Sequence, residues 1–189
     1  MTGRGSARSV SFNNKMIKGN ISLLKFVPEY HKLVANWLND KEINIWLANY
    51  WRGKNSSKKV IMAANNPNNL WYVVSYKEQK CGIVALSDIE REDGTAMIWY
   101  FLGDKNLSNR NIISIAINKL LKISFEELNL NCIYAWFVEH NKSSSKVLEK
   151  NFFCEMGRMP SSFSFNGNLR ARKYVYLNYD LWNCNVNKV

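Results

Sequence analysis

The apolar run Cys132-Ile133-Tyr134-Ala135-Trp136-Phe137-Val138 is followed almost at once by residues 141–153, NKSSSKVLEKNFF. No other part of the chain constrains the fold as strongly. Seven residues rich in aromatic and β-branched types predict a strand. Asn141 and the serines behind it carry the chemistry of a helix start, and the pair Phe152-Phe153 opens a second apolar segment. The reading is a strand that opens into a short helix and returns as another strand, which points to a mixed α/β domain.

The remaining elements fit around that unit. Residues 21–26 predict a first strand, and Pro28 suits the opening turn of a helix. Across residues 29–38, Tyr30, Leu33, Val34, Trp37 and Leu38 recur at helical spacing. Residues 43–50 predict a second short helix. Asn65-Asn66-Pro67-Asn68-Asn69 is the strongest break in the chain. Strands are expected over residues 71–76, 82–89 and 95–102, with hairpin turns at 77–80 and 91–94, giving an antiparallel meander. Residues 109–128 carry Ile112, Ile113, Ala116, Ile117, Leu120, Leu121, Phe125 and Leu128, the stripe of a long amphipathic helix lying on the sheet. Tyr174-Val175-Tyr176-Leu177 closes the sheet.

A chain of 189 residues is long enough for one cored domain. No window approaches the roughly 18–20 uninterrupted apolar residues of a membrane span. The first 20 residues are basic and polar, without the apolar segment of a secretory signal. They are expected to be a disordered leader or cloning remnant, leaving 21–189 as the domain. The net charge is +11, and setting aside Arg4, Arg8, Lys15 and Lys18 leaves +7. Such a surface favours anionic ligands such as coenzyme A, a nucleotide sugar or ribosomal RNA, and repels cationic aminoglycosides. Cys81, Cys132, Cys154 and Cys184 show no metal-ligand spacing, and His31 and His140 are the only histidines. Free thiols, no metal site and a cytoplasmic location are the expectation.

Asn141, Ser144, Leu148, Glu149, Lys150 and Phe153 match the pattern N-x-x-S-x-x-x-LEK-x-G-F. In this the chain resembles the GNAT N-acyltransferase superfamily, in its ribosomal-protein-acetyltransferase-like and nucleotide-amino-sugar branch. The resemblance implies a single α/β domain over about residues 21–180. Its mixed, mostly antiparallel sheet would be splayed between the fourth and fifth strands, with helices on both faces. It also implies acetyl-CoA or another acyl-CoA as cosubstrate. Phe101, Leu102 and Gly103 would then offer backbone groups to the pantetheine arm. Ser108, Asn109, Arg110, Asn111 and Ile112 fall on the pyrophosphate loop, and Asn141 and Ser144 would lie near the thiol end and the adenosine side. The usual glycines of that loop are absent. Asn tolerates the left-handed region better than most residues, Ser108 or Asn109 is available to cap the helix, and Arg110 to contact phosphate.

The implied reaction is direct attack of a neutral amine on the thioester in a ternary complex. Asp88, ending the third predicted strand, and His140, beside Asn141, are the candidate bases. Many superfamily members carry a tyrosine where this chain has Leu148, so no general acid is assigned. Trp46 and Tyr50, four apart on a predicted helix, and Arg52 after it suit a sugar or base and a phosphate. The expected acceptor is an anionic small-molecule amine, a nucleotide-linked amino sugar of surface-polysaccharide synthesis. Two alternatives stand beside it: a ribosomal-type protein N-terminal acetyltransferase, and a degenerate domain that binds nucleic acid or a partner without catalysis. Nucleic acid and membrane are not the expected partners, and a homodimer is left open.

Overall fold

The expected meander in the middle of the chain becomes the core of a seven-stranded sheet. The computed structural model describes residues 20–108 and 110–186. Apart from Asn20, the expected leader lies outside the described residues, as does Asn109. The strands are β1 (Ile21–Lys25), β2 (Leu70–Tyr76), β3 (Gln79–Glu90), β4 (Thr95–Leu102), β5 (Cys132–Val138), β6 (Cys154–Phe165) and β7 (Asn168–Asn178). They lie in the order β1-β2-β3-β4-β5-β7-β6. Neighbours are antiparallel except for the parallel pair β4 and β5. The β2–β3 hairpin turns on Lys77 and Glu78 alone, both left-handed at φ 48° and 68°. Two such residues match the twist of the strands they join, so the expected turn shrinks and Lys80 pairs with Ser75.

Three helices, α1 (His31–Asn39), α2 (Lys41–Asn44) and α3 (Ser57–Ala64), precede β2. Their residues Val34, Leu38 and Val60 are fully buried with Val73 and Ile83 of the sheet. The other face is covered by α4 (Ile112–Lys122), whose Ile112, Ala116, Ile117, Leu120 and Leu121 form the expected stripe. α5 (Lys142–Lys150) follows β5, and α6 (Tyr179–Val186) packs Trp182 against Phe125 with ring centroids 5.1 Å apart. Helices on both faces of one mixed sheet give the expected architecture.

Three local expectations change. Residues 43–50 do not form one helix: α2 ends at Asn44, and a separate 3-10 turn runs from Asn49 to Trp51. Buried Asn55 explains the break, because its amide donates to the carbonyls of Leu38, Trp51 and Gly53 and so stabilises a non-helical path. α3, capped by the Ser56 hydroxyl accepting from the Lys59 N–H at 3.3 Å, has no counterpart in the sequence reading. The helix expected to reach Leu128 is α-helical only to Lys122 and continues as a π-turn, Ile123–Glu127. There the buried Ser124 hydroxyl donates to the Leu120 carbonyl at 2.8 Å, and the Leu128 N–H reaches the Ile123 carbonyl.

Candidate active site

Parallel pairing between β4 and β5 covers only Thr95 with Cys132, Ala96 with Ile133 and Met97 with Tyr134. Beyond these the strands part, and a cavity of about 1350 Å³ opens where they separate. It runs from the starts of α4 and α5 to a chamber under the 41–66 segment.

At the first end Asn111 stands just ahead of α4 in the left-handed conformation, φ 55°. Asn adopts this region more readily than most residues, so it takes a backbone position that glycine would otherwise fill. Its side chain does not cap the helix; its Oδ1 accepts from Lys150 Nζ at 2.6 Å. Ile112, Ile113 and Ser114, the first turn of α4, all line the cavity. The first N–H groups of a helix lack intrahelical partners and sit at its positive end, which suits an anion. Arg110, Lys142, Lys146 and Lys150 line the same end. Ser108 also lines it but sits in the turn before Asn111, so it does not cap α4 as expected.

Asn141 caps α5, its Oδ1 accepting the Ser144 N–H at 3.0 Å. Ser144 is therefore the third residue of the helix and not its cap. Its carbonyl accepts from Tyr100 Oη at 3.3 Å, a bridge from β4 across the opening. Burial pushes the Tyr100 hydroxyl well above the usual tyrosine range, against a smaller opposing effect of the bond to Ser144. Leu148 is buried at 2% exposure, so the hydroxyl in this gap comes from β4 and not from α5. Phe101 and Leu102 line the cavity. Gly103 does not: its N–H donates to the Cys81 carbonyl at 2.7 Å. A Cβ there would stand 2.4 Å from the Trp37 ring, so this glycine serves packing.

The chamber at the other end is walled by Trp46, Trp51, Trp71, Trp99 and Trp136. Trp71 and Trp99 both face Ala85 across the sheet, and their rings meet edge to face at 4.8 Å. Asp88 is exposed on the chamber wall, left-handed at φ 52° within the bulge that interrupts β3–β4 pairing. Such a bulge re-aims a side chain at a strand end. His140 is exposed on the cavity wall beside Asn141. Asp88, His140 and Asn141 thus share one cavity.

The predicted acceptor triad does not hold together. Trp46 lies in the turn after α2 and packs at a tilt against Phe165 of the β6–β7 hairpin, centroids 4.6 Å apart. Tyr50 belongs to the 3-10 turn and is 56% exposed on the cavity rim. Arg52 does not line the cavity; its guanidinium lies 3.6 Å over the Phe163 ring and donates to the Leu47 and Ser164 carbonyls. Burial, and then the nearby Arg172, lower its affinity for its proton. Arg52 is a structural clasp and not a free phosphate ligand. Trp71, Ser87, Met97, Trp99 and Trp136 also line the cavity, and the sequence pattern does not single them out. Their period-two placement in strands was visible, but only the register shows that they share a face.

A two-strand splay, a helix start with a basic surround and a capped second helix thus meet at one cavity. The acetyltransferase (GNAT) domain family profile matches residues 21–153, and the chain belongs to that family. Bacillus subtilis YdaF, named as a candidate ribosomal N-acetyltransferase, is 30% identical over 92 residues, 49% of this chain and 50% of that protein. The chain thus spans about half the length of the curated relative it matches. Mutant forms of the Vibrio cholerae spermidine/spermine N-acetyltransferase SpeG superpose with a TM-score of 0.77 at 19% identity, covering 89% of this chain and 99% of that one. RimL, a ribosomal L7/L12 α-N-protein acetyltransferase in complex with coenzyme A, superposes at 0.77 with 15% identity, covering 87% and 97%. At these identities the two structures share the fold. Among the described residues no helix is long and apolar enough to cross a membrane.

Proposed function

We propose that this protein transfers an acetyl group from acetyl-CoA to a compact primary amine held in the tryptophan-walled chamber. The observation that carries the acceptor class is the bridging of the groove between the 41–52 segment and the β6–β7 hairpin. Trp46 meets Phe165, and Arg52 clasps Phe163 and Ser164 across it. A peptide acceptor needs that groove open along its length, whereas a small amine needs only the chamber. The nucleotide-linked amino sugar narrows accordingly. Stacking walls for a ring are present, but the arginine meant for its diphosphate is committed elsewhere.

The residues at the splay fit acetyl-CoA: a left-handed residue ahead of a helix start, several cations and strand edges freed beyond Met97. When bound there, acetyl-CoA supplies the activated thioester. Asp88 then accepts the proton of the incoming ammonium, directly or through water, so that nitrogen presents a lone pair. His140 is the second candidate for that proton. Asn141 orders the start of α5 through its Oδ1 and lines the cavity beside His140. As the new C–N bond forms and the C–S bond breaks, the proton returned to sulfur comes through solvent, with the Tyr100 hydroxyl fixed nearby on Ser144.

A second reading, acetylation of a protein N-terminal amine, is favoured by the similarity to YdaF. One assay separates them. Release of coenzyme A thiol is followed with acetyl-CoA and, in turn, small primary amines and short peptides with free α-amines, while calorimetry reports acetyl-CoA binding. Turnover of small amines alone supports the proposal, and turnover of peptides alone replaces it with the second reading. Failure to bind acetyl-CoA would leave the degenerate binding domain.

A further inference from the structure

Four buried side-chain polar atoms lack a hydrogen-bond partner among the described residues: Trp71 Nε1, Ser87 Oγ, Arg172 Nε and Trp182 Nε1. Two of them, Trp71 Nε1 and Ser87 Oγ, belong to residues that line the chamber. Leaving a buried donor unsatisfied costs about 1–3 kcal/mol, so such groups ordinarily have partners. Trp71 is 2% exposed, and its indole N–H is a donor only. Register puts the two on one face of the sheet. Trp71 faces Ala85, and Ser87 lies two residues further along β3, diagonal to Trp71 and directly before Asp88. Diagonal neighbours stand about 7–8 Å apart at the backbone, a span that one small molecule bridges.

We infer that the acceptor carries a hydrogen-bond-accepting oxygen close to its amine, bound by the Trp71 indole N–H and the Ser87 hydroxyl, while Asp88 faces the amine. This rests on the reading of the chamber as the acceptor site. A donor-only indole selects an acceptor atom, so amines with a hydroxyl or carbonyl near nitrogen qualify. Protonated polyamines, which offer N–H donors alone, leave Trp71 unpaired. A site built to bind such an oxygen rejects the analogue lacking it far more strongly than a hydrophobic wall discriminates by size.

The test pairs two ring amines that differ by one atom, 2-aminocyclohexanol and cyclohexylamine, with spermidine as a third acceptor. For each, kcat/KM with acetyl-CoA is measured on the natural protein, on Trp71→Phe and on Ser87→Ala. The expected result is a preference of at least tenfold for the hydroxylated amine, falling toward unity in both variants, while calorimetry shows acetyl-CoA still bound. Ser87→Ala leaves the aromatic core intact and keeps the test valid if Trp71→Phe folds poorly. No preference in the natural protein, a preference that survives both substitutions, or spermidine as the best acceptor overturns the inference. If only peptides are acetylated, the small-amine reading fails on its own. The same ratio is then taken between a peptide and its analogue lacking the first carbonyl oxygen, and its persistence in the variants overturns the inference. Acetyl-CoA binding with no amine turned over rejects both.

Discussion

Lys150 Nζ donates to Asn111 Oδ1 at 2.6 Å, joining the last residue of α5 to the left-handed residue that starts α4. Both residues line the cavity, so this bond sets the spacing of the two helices around the proposed pyrophosphate site. Asn111→Ala removes the bond and places a residue that disfavours φ 55° there, with an expected cost of about 1 kcal/mol. Asn111→Gly relieves the backbone and keeps the melting temperature near that of the natural protein. Both substitutions, and Lys150→Met, weaken acetyl-CoA binding in calorimetric titration. An unchanged Kd in all three removes the pair from the site.

Asn141 has two separable roles, and substitutions distinguish them. Asn141→Ala loses the cap on the Ser144 N–H, an expected cost of about 1 kcal/mol. For a chain of this size that lowers Tm by roughly 2–4 °C. Asn141→Asp keeps the cap but replaces the amide N–H groups with charge. A fall in kcat/KM of tenfold or more for both, with Tm lowered only for Ala, assigns the amide to the reaction. Equal losses in Tm and activity restrict it to capping.

The Arg52 clasp makes a prediction about the acceptor alone. Arg52→Ala removes the stacking on Phe163 and the bonds to Leu47 and Ser164. Cation–π contacts of this kind contribute about 0.5–2 kcal/mol. KM for the amine is expected to rise several-fold, with proteolytic cleavage of the β6–β7 hairpin accelerated and acetyl-CoA affinity retained. Loss of acetyl-CoA affinity with an intact hairpin would contradict the assignment of Arg52 to the acceptor side.

Acid should loosen the junction between α2 and the turn after β4. Lys105 reaches Asp40 at 2.7 Å and Glu42 at 2.8 Å. The hydrogen bond from Lys105, then that from the Glu42 N–H, holds the Asp40 carboxyl below the usual range. A lowered carboxylate contributes stability that is present above its unfolded value, about 3.9, and lost as pH falls through the lower folded value. The site is exposed, so the effect is small and diminishes with salt. Tm of the natural protein is expected to fall between pH 5 and pH 3 by more than that of Asp40→Asn. Parallel curves for the two proteins would exclude Asp40 as a contributor.

Much of the fold is written locally in this chain. Apolar runs rich in aromatic and β-branched residues placed β4 and β5 at their observed bounds, and the 3.6-residue stripe found the buried face of α4. The motif around Asn141 announced the strand, capped helix and strand that follow. These signals are local because each depends on hydrogen bonds and side-chain spacing within one element. The end of α4 and the breaking of residues 43–50 were not legible, because Ser124 and Asn55 win through contacts that periodicity does not encode. The tryptophan-walled chamber depended wholly on the tertiary structure. Trp71, Ser87 and Trp99 come from three separate strands and become a surface only when register brings them onto one face. Arg52 lost its expected role for the same reason: its partners Phe163 and Ser164 lie more than a hundred residues away in the chain. Sequence alone determined which segments become strand or helix; long-range packing decided which side chains face one another, and with that the site.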